Sequence, residues 1–381
     1  MLILVACVVI FIYGMMASLL GTIVPSLGAT LSLTNTQIGY LALAQGLGLA
    51  GTSVVAGAFM DSKGKMAGVV VGLLASLVGL TMLSHPTSLL LSVIAMVILG
   101  CGGSLVIVGS NAIASDVPDD RRAATITFLN VFVGLGGFAT PFVAGNLLGS
   151  DAVKSAYCGI GIVAIALVLT LLTPFPKNRP ELRRGRAETV SIFHSGVLYV
   201  LASITFLYTA CEFGIWNWLP KFLIATGLPN AKALNILSLG FASGLLIGRL
   251  LATKLLTKAS TYYVNLVCCS LMCLSLFAVL RFPAAAGGAP LVFFTGLVMA
   301  PIFPTTIAIV GKLFQQRSAT AIGFAITCGF SGLVVSSPLI GWLAGTDPSG
   351  LKRGLMLLPA MSAAVVVILV LFRNRLVKTT E

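Results

Sequence analysis

The sequence predicts an all-α membrane protein with twelve transmembrane helices arranged as two six-helix bundles. Three observations lead to this fold. Apolar residues make up 58 % of the 381 residues and charged residues only 9 %, whereas a soluble domain carries about 25 % charged residues. The mean hydropathy is +1.07, and the apolar residues form runs long enough to cross a bilayer, separated by short cationic connections. This composition excludes a soluble enzyme, a disordered chain and a nucleic-acid-binding protein.

The predicted spans follow from the length of the apolar runs, since a membrane helix needs about 20 mainly apolar residues. The twelve runs are 2–28, 36–59, 66–84, 88–115, 122–148, 153–173, 194–226, 231–257, 261–281, 287–311, 317–343 and 352–373. The longest connection, residues 174–193, carries five Lys or Arg residues. It divides the chain into a predicted N-terminal bundle (1–173), a cytoplasmic basic linker (174–193) and a predicted C-terminal bundle (194–381).

The distribution of cationic residues predicts that both termini are cytoplasmic. In that orientation 17 of the 23 Lys and Arg residues fall in cytoplasmic segments and 6 on the opposite side, as the preference of positive charge for the cytoplasmic face requires. Because these residues are scattered between apolar runs, they do not form a surface for a polyanion. We expect a multi-pass protein of the plasma membrane, which is the inner membrane if the source is prokaryotic.

The connection after the second span reads Gly57-Ala-Phe-Met-Asp61-Ser-Lys63-Gly64-Lys65. It resembles the Gly-x-x-x-Asp-(Arg)-x-Gly-(Arg/Lys) signature of the major facilitator superfamily, with Ser62 at a position that is usually basic. In that family the loop holds the cytoplasmic ends of the bundles together, and the alternative is a simple anchoring loop. The resemblance therefore implies a cytoplasmic gate, to which we add two cations near span ends. Its predicted members are Gly57, Asp61, Lys63, Gly64, Lys65, Arg122 and Arg249.

Five further motifs narrow the resemblance. They are Phe206–Pro220 in span 7, Gly244–Leu250 in span 8, Ala300–Thr305 in span 10, Gly100–Gly102 with Asn111 in span 4, and Asn130–Gly136 with Pro141 in span 5. Together they are similar to the fucose–galactose–gluconate:proton symporters and their sodium-glucose-transporter-like relatives. The resemblance implies alternating-access transport of a sugar or a similar small polar solute, coupled to protons or to sodium. Proton-coupled sugar members often carry an acid in span 1 or span 4, and this chain has none there.

Glu212 is the only one of the ten acidic residues that falls inside a predicted span. An ionisable residue at membrane depth is costly and is a functional candidate. Because a low dielectric disfavours the charged carboxylate, Glu212 could carry a proton across, or it could accept hydrogen bonds from a sugar hydroxyl. The alternative is a protonated Glu bonded to a neighbouring helix. Glu212 lies near mid-membrane if span 7 continues past Pro220 to Ala225, and nearer the outer surface if it stops at Pro220.

The predicted substrate site combines this acid with aromatic and neutral polar residues. Tyr208, Glu212 and Trp216 are spaced by four residues and share one helix face, an arrangement in which the carboxyl binds hydroxyls and a ring stacks on a sugar. The neutral candidates are Tyr13, Gln45, Asn111, Asn130, Asn217 and Thr305. Amides could instead join helices, and Trp216 and Trp218 could form an interfacial belt. The Arg249 side chain could extend to the cytoplasmic surface.

Other functions remain open from the sequence alone. The chain has no Gly-x-x-x-x-Gly-Lys-(Ser/Thr) loop, catalytic triad or metal-binding motif, so we expect no enzymatic activity, no catalytic residue, no metal and no cofactor beyond a coupling ion. The expected partners are a small-molecule solute and the lipid bilayer, with the chain as a monomer. The alternatives are a proton-driven exporter of amphiphilic compounds, suggested by the antiporter-like stretch Gly137–Gly145; a sodium-coupled or uniport sugar carrier; a carboxylate carrier that uses Arg249; and a non-transporting scaffold or sensor.

Overall fold

The computed structural model describes residues 2–114, 119–173, 194–255, 259–282, 288–314, 318–346 and 350–377, and within these ranges it has helices and no strands. The helices are α1 (Leu2–Thr30), α2 (Asn35–Lys63), α3 (Lys65–Leu83), α4 (Leu89–Ala114), α5 (Asp119–Asn146), α6 (Ala152–Leu171), α7 (Gly196–Ala225), α8 (Asn230–Asn235), α9 (Ser243–Leu255), α10 (Thr261–Arg281), α11 (Ala289–Met299), α12 (Ile302–Leu313), α13 (Ser318–Ala344), α14 (Gly350–Leu355), α15 (Leu357–Leu371) and α16 (Arg373–Val377). A π-helical segment, Ile236–Ala242, joins α8 to α9.

Twelve stretches of helix in the described ranges are long and apolar enough to cross a membrane, which confirms the predicted fold class. Three of these spans are composite: α8, the π segment and α9 form span 8, α11 and α12 form span 10, and α14 and α15 form span 12. The break in span 10 falls at Ala300 and Pro301. The sequence pattern does not predict the π-helical segment.

Helix α7 continues through Pro220 and ends at Ala225, so the longer of the two predicted lengths of span 7 is correct. Its 30 residues place Glu212 about 24 Å from the first residue of the helix, at about 1.5 Å per residue. The carboxyl group therefore belongs to the middle of the span and not to its outer end.

The described chain forms two compact units. The first unit holds the described residues of Met1–Pro180 together with Trp216–Ser238, and the second holds those of Glu181–Ile215 and Leu239–Glu381. In the first unit α1 packs on α4, α5 and α6, α4 also packs on α2 and α3, and α8 packs on α5. In the second unit α10 packs on α11, α12 and α15, α9 packs on α11, and α13 packs on α12 and α14. The predicted boundaries 1–173 and 194–381 stay predictions, and the predicted linker lies outside the described residues.

Backbone contact at small residues holds neighbouring helices together. A Cβ atom added to Gly48 of α2 would lie 2.2 Å from the carbonyl oxygen of Val97 in α4, and one added to Gly100 of α4 would lie 2.1 Å from that of Gln45 in α2. Apolar burial gives no net drive between helices in lipid, so association depends on such close van der Waals contact. The abundance of glycine, 41 residues, is explained in part by these crossings.

Candidate functional site

An ion pair joins two helices of the second unit. The Nη2 atom of Arg249 in α9 lies 3.5 Å from the Oε1 atom of Glu212 in α7, and the two side chains are 26 % and 15 % exposed. Charged side chains at this depth would be very costly against lipid. Their partial exposure therefore marks a surface of this unit that water or a solute can reach. We call these residues the Glu212–Arg249 pair.

Close packing on both sides fixes the two helices that carry the pair. Next to Glu212, the Cys211 thiol donates a hydrogen bond of 3.3 Å to the carbonyl oxygen of Leu358 in α15. Next to Arg249, a Cβ atom on Gly248 would lie 2.5 Å from the carbonyl oxygen of Leu297 in α11. Each member of the pair therefore directly follows a residue that is held in close contact with another helix of the unit.

Tyr208 lies one helical turn before Glu212 and completes this cluster. Its side chain is 1 % exposed, and its ring packs at 6.3 Å from the ring of Phe303 in α12. The hydroxyl lies close enough to Glu212 and Arg249 to interact with both charges. Tyr208 therefore forms one cluster with the pair.

The other candidates in the first unit have structural surroundings of their own. The Gln45 side chain is 5 % exposed and donates a hydrogen bond of 3.0 Å to the carbonyl oxygen of Met16 in α1, which is the interhelical alternative considered for amides. Asn111 donates to the carbonyl oxygen of Ile107 in its own helix at 3.0 Å. Tyr13 is 6 % exposed, and Asn130 is an exposed residue of α5.

Thr305 belongs to a buried polar network that holds the broken span 10. Its hydroxyl donates to the Oδ1 atom of Asn265 in α10, and Asn265 donates in turn to the hydroxyl of Thr306 at 3.0 Å. Thr305 and Asn265 are both fully buried. The Thr305 hydroxyl also contacts the carbonyl oxygen of Pro301 at 2.7 Å, so the carbonyl at the helix break is satisfied within the protein.

The structure corrects the interfacial-belt alternative for the tryptophans of span 7. Trp216 is 7 % and Trp218 0 % exposed, whereas Trp342 of α13 is 67 % exposed. The edge of the Trp216 ring lies 3.1 Å from the position of a Cβ atom on Gly137 in α5, because α7 presses against small residues there. Asn217, next along α7, is 1 % exposed. Trp216 and Asn217 belong to the first unit and Tyr208 and Glu212 to the second, although all four follow one another on one helix.

The predicted gate residues are only partly described. Gly64 has φ of 100°, a backbone conformation that favours glycine, and it separates α2 from α3. The Lys65 amine donates a hydrogen bond of 2.9 Å to the carbonyl oxygen of Ala112 near the end of α4. Gly57 and Lys63 are exposed. The side chains of Asp61 and Arg122 lie outside the described structure.

The structure corrects one predicted position of the Arg249 side chain. The sequence alone allows its side chain to extend to the cytoplasmic surface, but the guanidinium turns to Glu212 instead; its membership of a gate stays a prediction. Sequence reasoning missed this pairing and also missed Asn265. The available signal was the position of Arg249 inside the eighth apolar run, since an acid at membrane depth requires a cation from another helix. Among the described residues no group of three or more His, Cys, Asp or Glu side chains could hold a metal ion.

Comparison with known proteins agrees with this architecture. The family model described as Major Facilitator Superfamily matches residues 6–337. The glucose/mannose transporter GlcP of Bacillus subtilis (strain 168) is 23 % identical over 299 residues, 74 % of this chain and 71 % of that protein. Among solved structures, a D-xylose-proton symporter matches with a TM-score of 0.80, 14 % identity and coverage of 96 % of both chains. A variant of the nucleoside transporter NupG matches with a TM-score of 0.79, 14 % identity and coverage of 97 % of this chain and 99 % of that chain.

The structural matches below 25 % identity show a shared fold, and the family model covers most of the chain. Together with the twelve membrane-spanning stretches and the signature loop at Gly57–Lys65, they identify a transporter and not an enzyme. The chain is a multi-pass membrane protein that belongs to the major facilitator superfamily.

Proposed function

We propose that this protein is a secondary active transporter that moves a sugar or a similar small polar solute by alternating access, with Glu212 as the proton-coupling acid. The observation that carries the proposal is the Glu212–Arg249 pair, which joins two helices of the second unit. The relatives support the substrate class, since GlcP is named a glucose/mannose transporter and one structural neighbour a D-xylose-proton symporter.

The proposed coupling step is a proton transfer at Glu212. When the carboxylate takes up a proton, its attraction to Arg249 falls, because an ion pair becomes an ion next to a neutral acid. The link between α7 and α9 then weakens, and a bundle with two discrete packings can shift from one to the other. Release of the proton on the opposite side restores the pair and resets the carrier.

The setting of this step follows from the cation distribution. We place both termini in the cytoplasm and the protein in the plasma membrane, since most Lys and Arg residues then lie on the side that positive charge prefers. The transporting unit is a monomer. A sodium ion could replace the proton as the coupling ion, because a carboxylate oxygen is also a suitable ligand for a hard cation, and the experiment below distinguishes the two.

The test is uptake of radiolabelled glucose, mannose and xylose into proteoliposomes with an imposed inward proton gradient, with a sodium gradient in parallel. We expect accumulation of at least one sugar that requires the proton gradient and vanishes in Glu212→Gln, while exchange of labelled for unlabelled sugar survives. Asp151→Asn is the matched control. This residue caps α6 through a hydrogen bond of 2.9 Å from the Lys154 amide, and Asn can also cap a helix. Accumulation that persists in Glu212→Gln, or that follows sodium alone, would contradict proton coupling at Glu212.

A further inference from the structure

We infer that the transported solute carries a carboxylate, as a sugar acid does, and that this carboxylate binds Arg249 when Glu212 takes up its proton. The inference rests on the proposed function and specifies its substrate class. It starts from the observation that Arg249 has more hydrogen-bond donors than Glu212 can occupy.

The geometry leaves most of the Arg249 guanidinium unused. A guanidinium has five N–H donors, and it can bind a carboxylate through two parallel hydrogen bonds at once. Here one nitrogen approaches one oxygen at 3.5 Å, and the side chain remains 26 % exposed. Within the described part of the chain, Glu212 is the only carboxylate that pairs with these donors. A second carboxylate can therefore reach the guanidinium from the exposed side.

The charges of the pair then favour an anionic substrate over a neutral one. In the resting pair the two charges cancel. A proton on Glu212 leaves a bare guanidinium at membrane depth, which is costly unless another anion pairs with it. A neutral sugar cannot supply that charge, whereas a carboxylate can. The proton and the carboxylate therefore favour each other's binding, as reciprocal linkage requires.

The hydroxyl of Tyr208 adds a second point of recognition. It is buried, and it lies close enough to Glu212 and Arg249 to interact with both members of the pair. A bound carboxylate that replaces Glu212 on Arg249 would lie within reach of this donor. The titratable groups near the pair are Tyr208 on α7 itself, Arg249 on α9 and, through its interaction with Tyr208, Cys269 on α10. Glu212 is the one carboxyl group in this set, so the proton that the linkage requires is assigned to it.

The proposed transport cycle involves no covalent step, and its protons and charges balance. One proton moves from the water to the Glu212 carboxylate, and the carboxylate of the solute takes its place beside Arg249. Both leave on the other side, where Glu212 returns its proton to water and pairs again with Arg249. Each cycle carries one anion and one proton, so it moves no net charge.

The test compares sugars that differ only at C6, where a hexose has CH₂OH and a hexuronate has a carboxylate. We would use glucose with glucuronate, galactose with galacturonate and mannose with mannuronate, in proteoliposomes and as ligands of the purified full-length protein. We expect a hexuronate to accumulate with the proton gradient, at a rate that does not respond to a membrane potential imposed with potassium and valinomycin. Its affinity should rise as the pH falls, by up to about tenfold per pH unit for one linked proton.

Two variants make the expectation specific. Glu212→Gln mimics the protonated acid and leaves Arg249 without its carboxylate partner, so at neutral pH it should bind the hexuronate more tightly than the native protein does, with no remaining pH dependence. Glu212→Gln/Arg249→Gln keeps the site neutral and should lose hexuronate binding at every pH. Weak binding by Glu212→Gln, or full binding by the double variant, would overturn the inference.

The outcomes separate this inference from the proposed function. If a hexose accumulates with protons, responds to the membrane potential and excludes its hexuronate, the inference is wrong and the proposed function stands. If a hexuronate crosses without protons, both the linkage inferred here and the coupling role of Glu212 are wrong. If no hexuronate binds or crosses in a protein that remains folded, the inference is wrong, and the proposed function is also overturned only if glucose, mannose and xylose all fail as well.

Discussion

Asn146 at the end of α5 and Asn235 at the end of α8 exchange two side-chain hydrogen bonds. The Nδ2 atom of Asn146 donates to Oδ1 of Asn235 at 2.6 Å, and the Nδ2 atom of Asn235 donates to Oδ1 of Asn146 at 3.0 Å. The contact joins residues that are 89 positions apart in the sequence. It lies in the first unit, where Gly145 also lets α8 approach α5, since a Cβ atom there would lie 3.2 Å from the carbonyl oxygen of Ala231.

We expect the two asparagines to act as a coupled pair in stability. Asn146→Ala and Asn235→Ala should each destabilise the protein, and the double variant should be little worse than either single one. The coupling energy should be about 0.6–1.7 kcal/mol, the range measured for hydrogen bonds between membrane helices. A double-mutant cycle on reversible unfolding in mixed micelles measures it. Strictly additive losses would show that the reciprocal contact contributes nothing.

Close approach of α1 to α7 leads to a second prediction. A Cβ atom on Gly21 would lie 1.8 Å from the carbonyl oxygen of Trp216, so Gly21→Ala must push the two helices apart. We expect a loss of about 1–3 kcal/mol, as for other over-packed sites. Gly161→Ala in α6 is the control, because open space surrounds that position and alanine favours a helix by up to about 1 kcal/mol. Equal stability of the two variants in thermal unfolding would contradict a close crossing of α1 and α7.

The network around Asn265 separates a structural role from a binding role for Thr305. We expect Asn265→Ala to cost about 1–3 kcal/mol, because it removes the hydrogen bonds that join α10 to Thr305 and Thr306 of α12. Thr305→Val should lower stability by less and leave the apparent KM for the transported solute unchanged. Thr81→Val is the control, since its exposed hydroxyl also bonds a carbonyl of its own helix, that of Leu77, at 2.8 Å. A several-fold increase of KM in Thr305→Val at unchanged stability would restore Thr305 as a substrate ligand.

The same network shows what the sequence could and could not predict. Hydropathy predicted twelve spans, because it depends on local composition. The predicted apolar run 194–226 includes the part of α7 that follows Pro220. The hydrogen-bond partners of Gln45 and Thr305 could not be predicted from the sequence, since they depend on how neighbouring helices are rotated about their axes. A residue type alone does not say whether a buried amide faces a solute or another helix.

The Glu212–Arg249 pair illustrates the same limit within the candidate site. Glu212 was found from the sequence because an acid inside an apolar run is unusual. Arg249 was assigned to the end of its span, where a long side chain can reach water. Its guanidinium instead pairs with Glu212 on another helix, which is a three-dimensional property. The π segment before α9 is likewise invisible to hydropathy, because changing the hydrogen-bond pattern does not change composition.

The positions of the three tryptophans predict a simple spectroscopic result. Trp342 is 67 % exposed and lies in a membrane-spanning helix, whereas Trp216 and Trp218 are buried. In bilayers of brominated lipids, we expect most of the quenching of tryptophan fluorescence to come from Trp342. It should therefore be largely lost in Trp342→Phe and retained in Trp216→Phe. The reverse pattern would return Trp216 to an interfacial belt.

The two lysines of the signature loop provide a matched pair for the last prediction. Lys65 donates to the Ala112 carbonyl near the C-terminal end of α4, where the helix dipole favours a cation by about 0.3–1 kcal/mol. Lys63 is exposed. Both variants Lys65→Met and Lys63→Met remove one charge from the same loop, so a difference between them reports the contact. We expect Lys65→Met alone to speed amide hydrogen exchange in the last turn of α4, because that end of the helix loses its cationic donor. Equal acceleration in both variants would mean that the charge of the loop, and not the hydrogen bond from Lys65, protects α4.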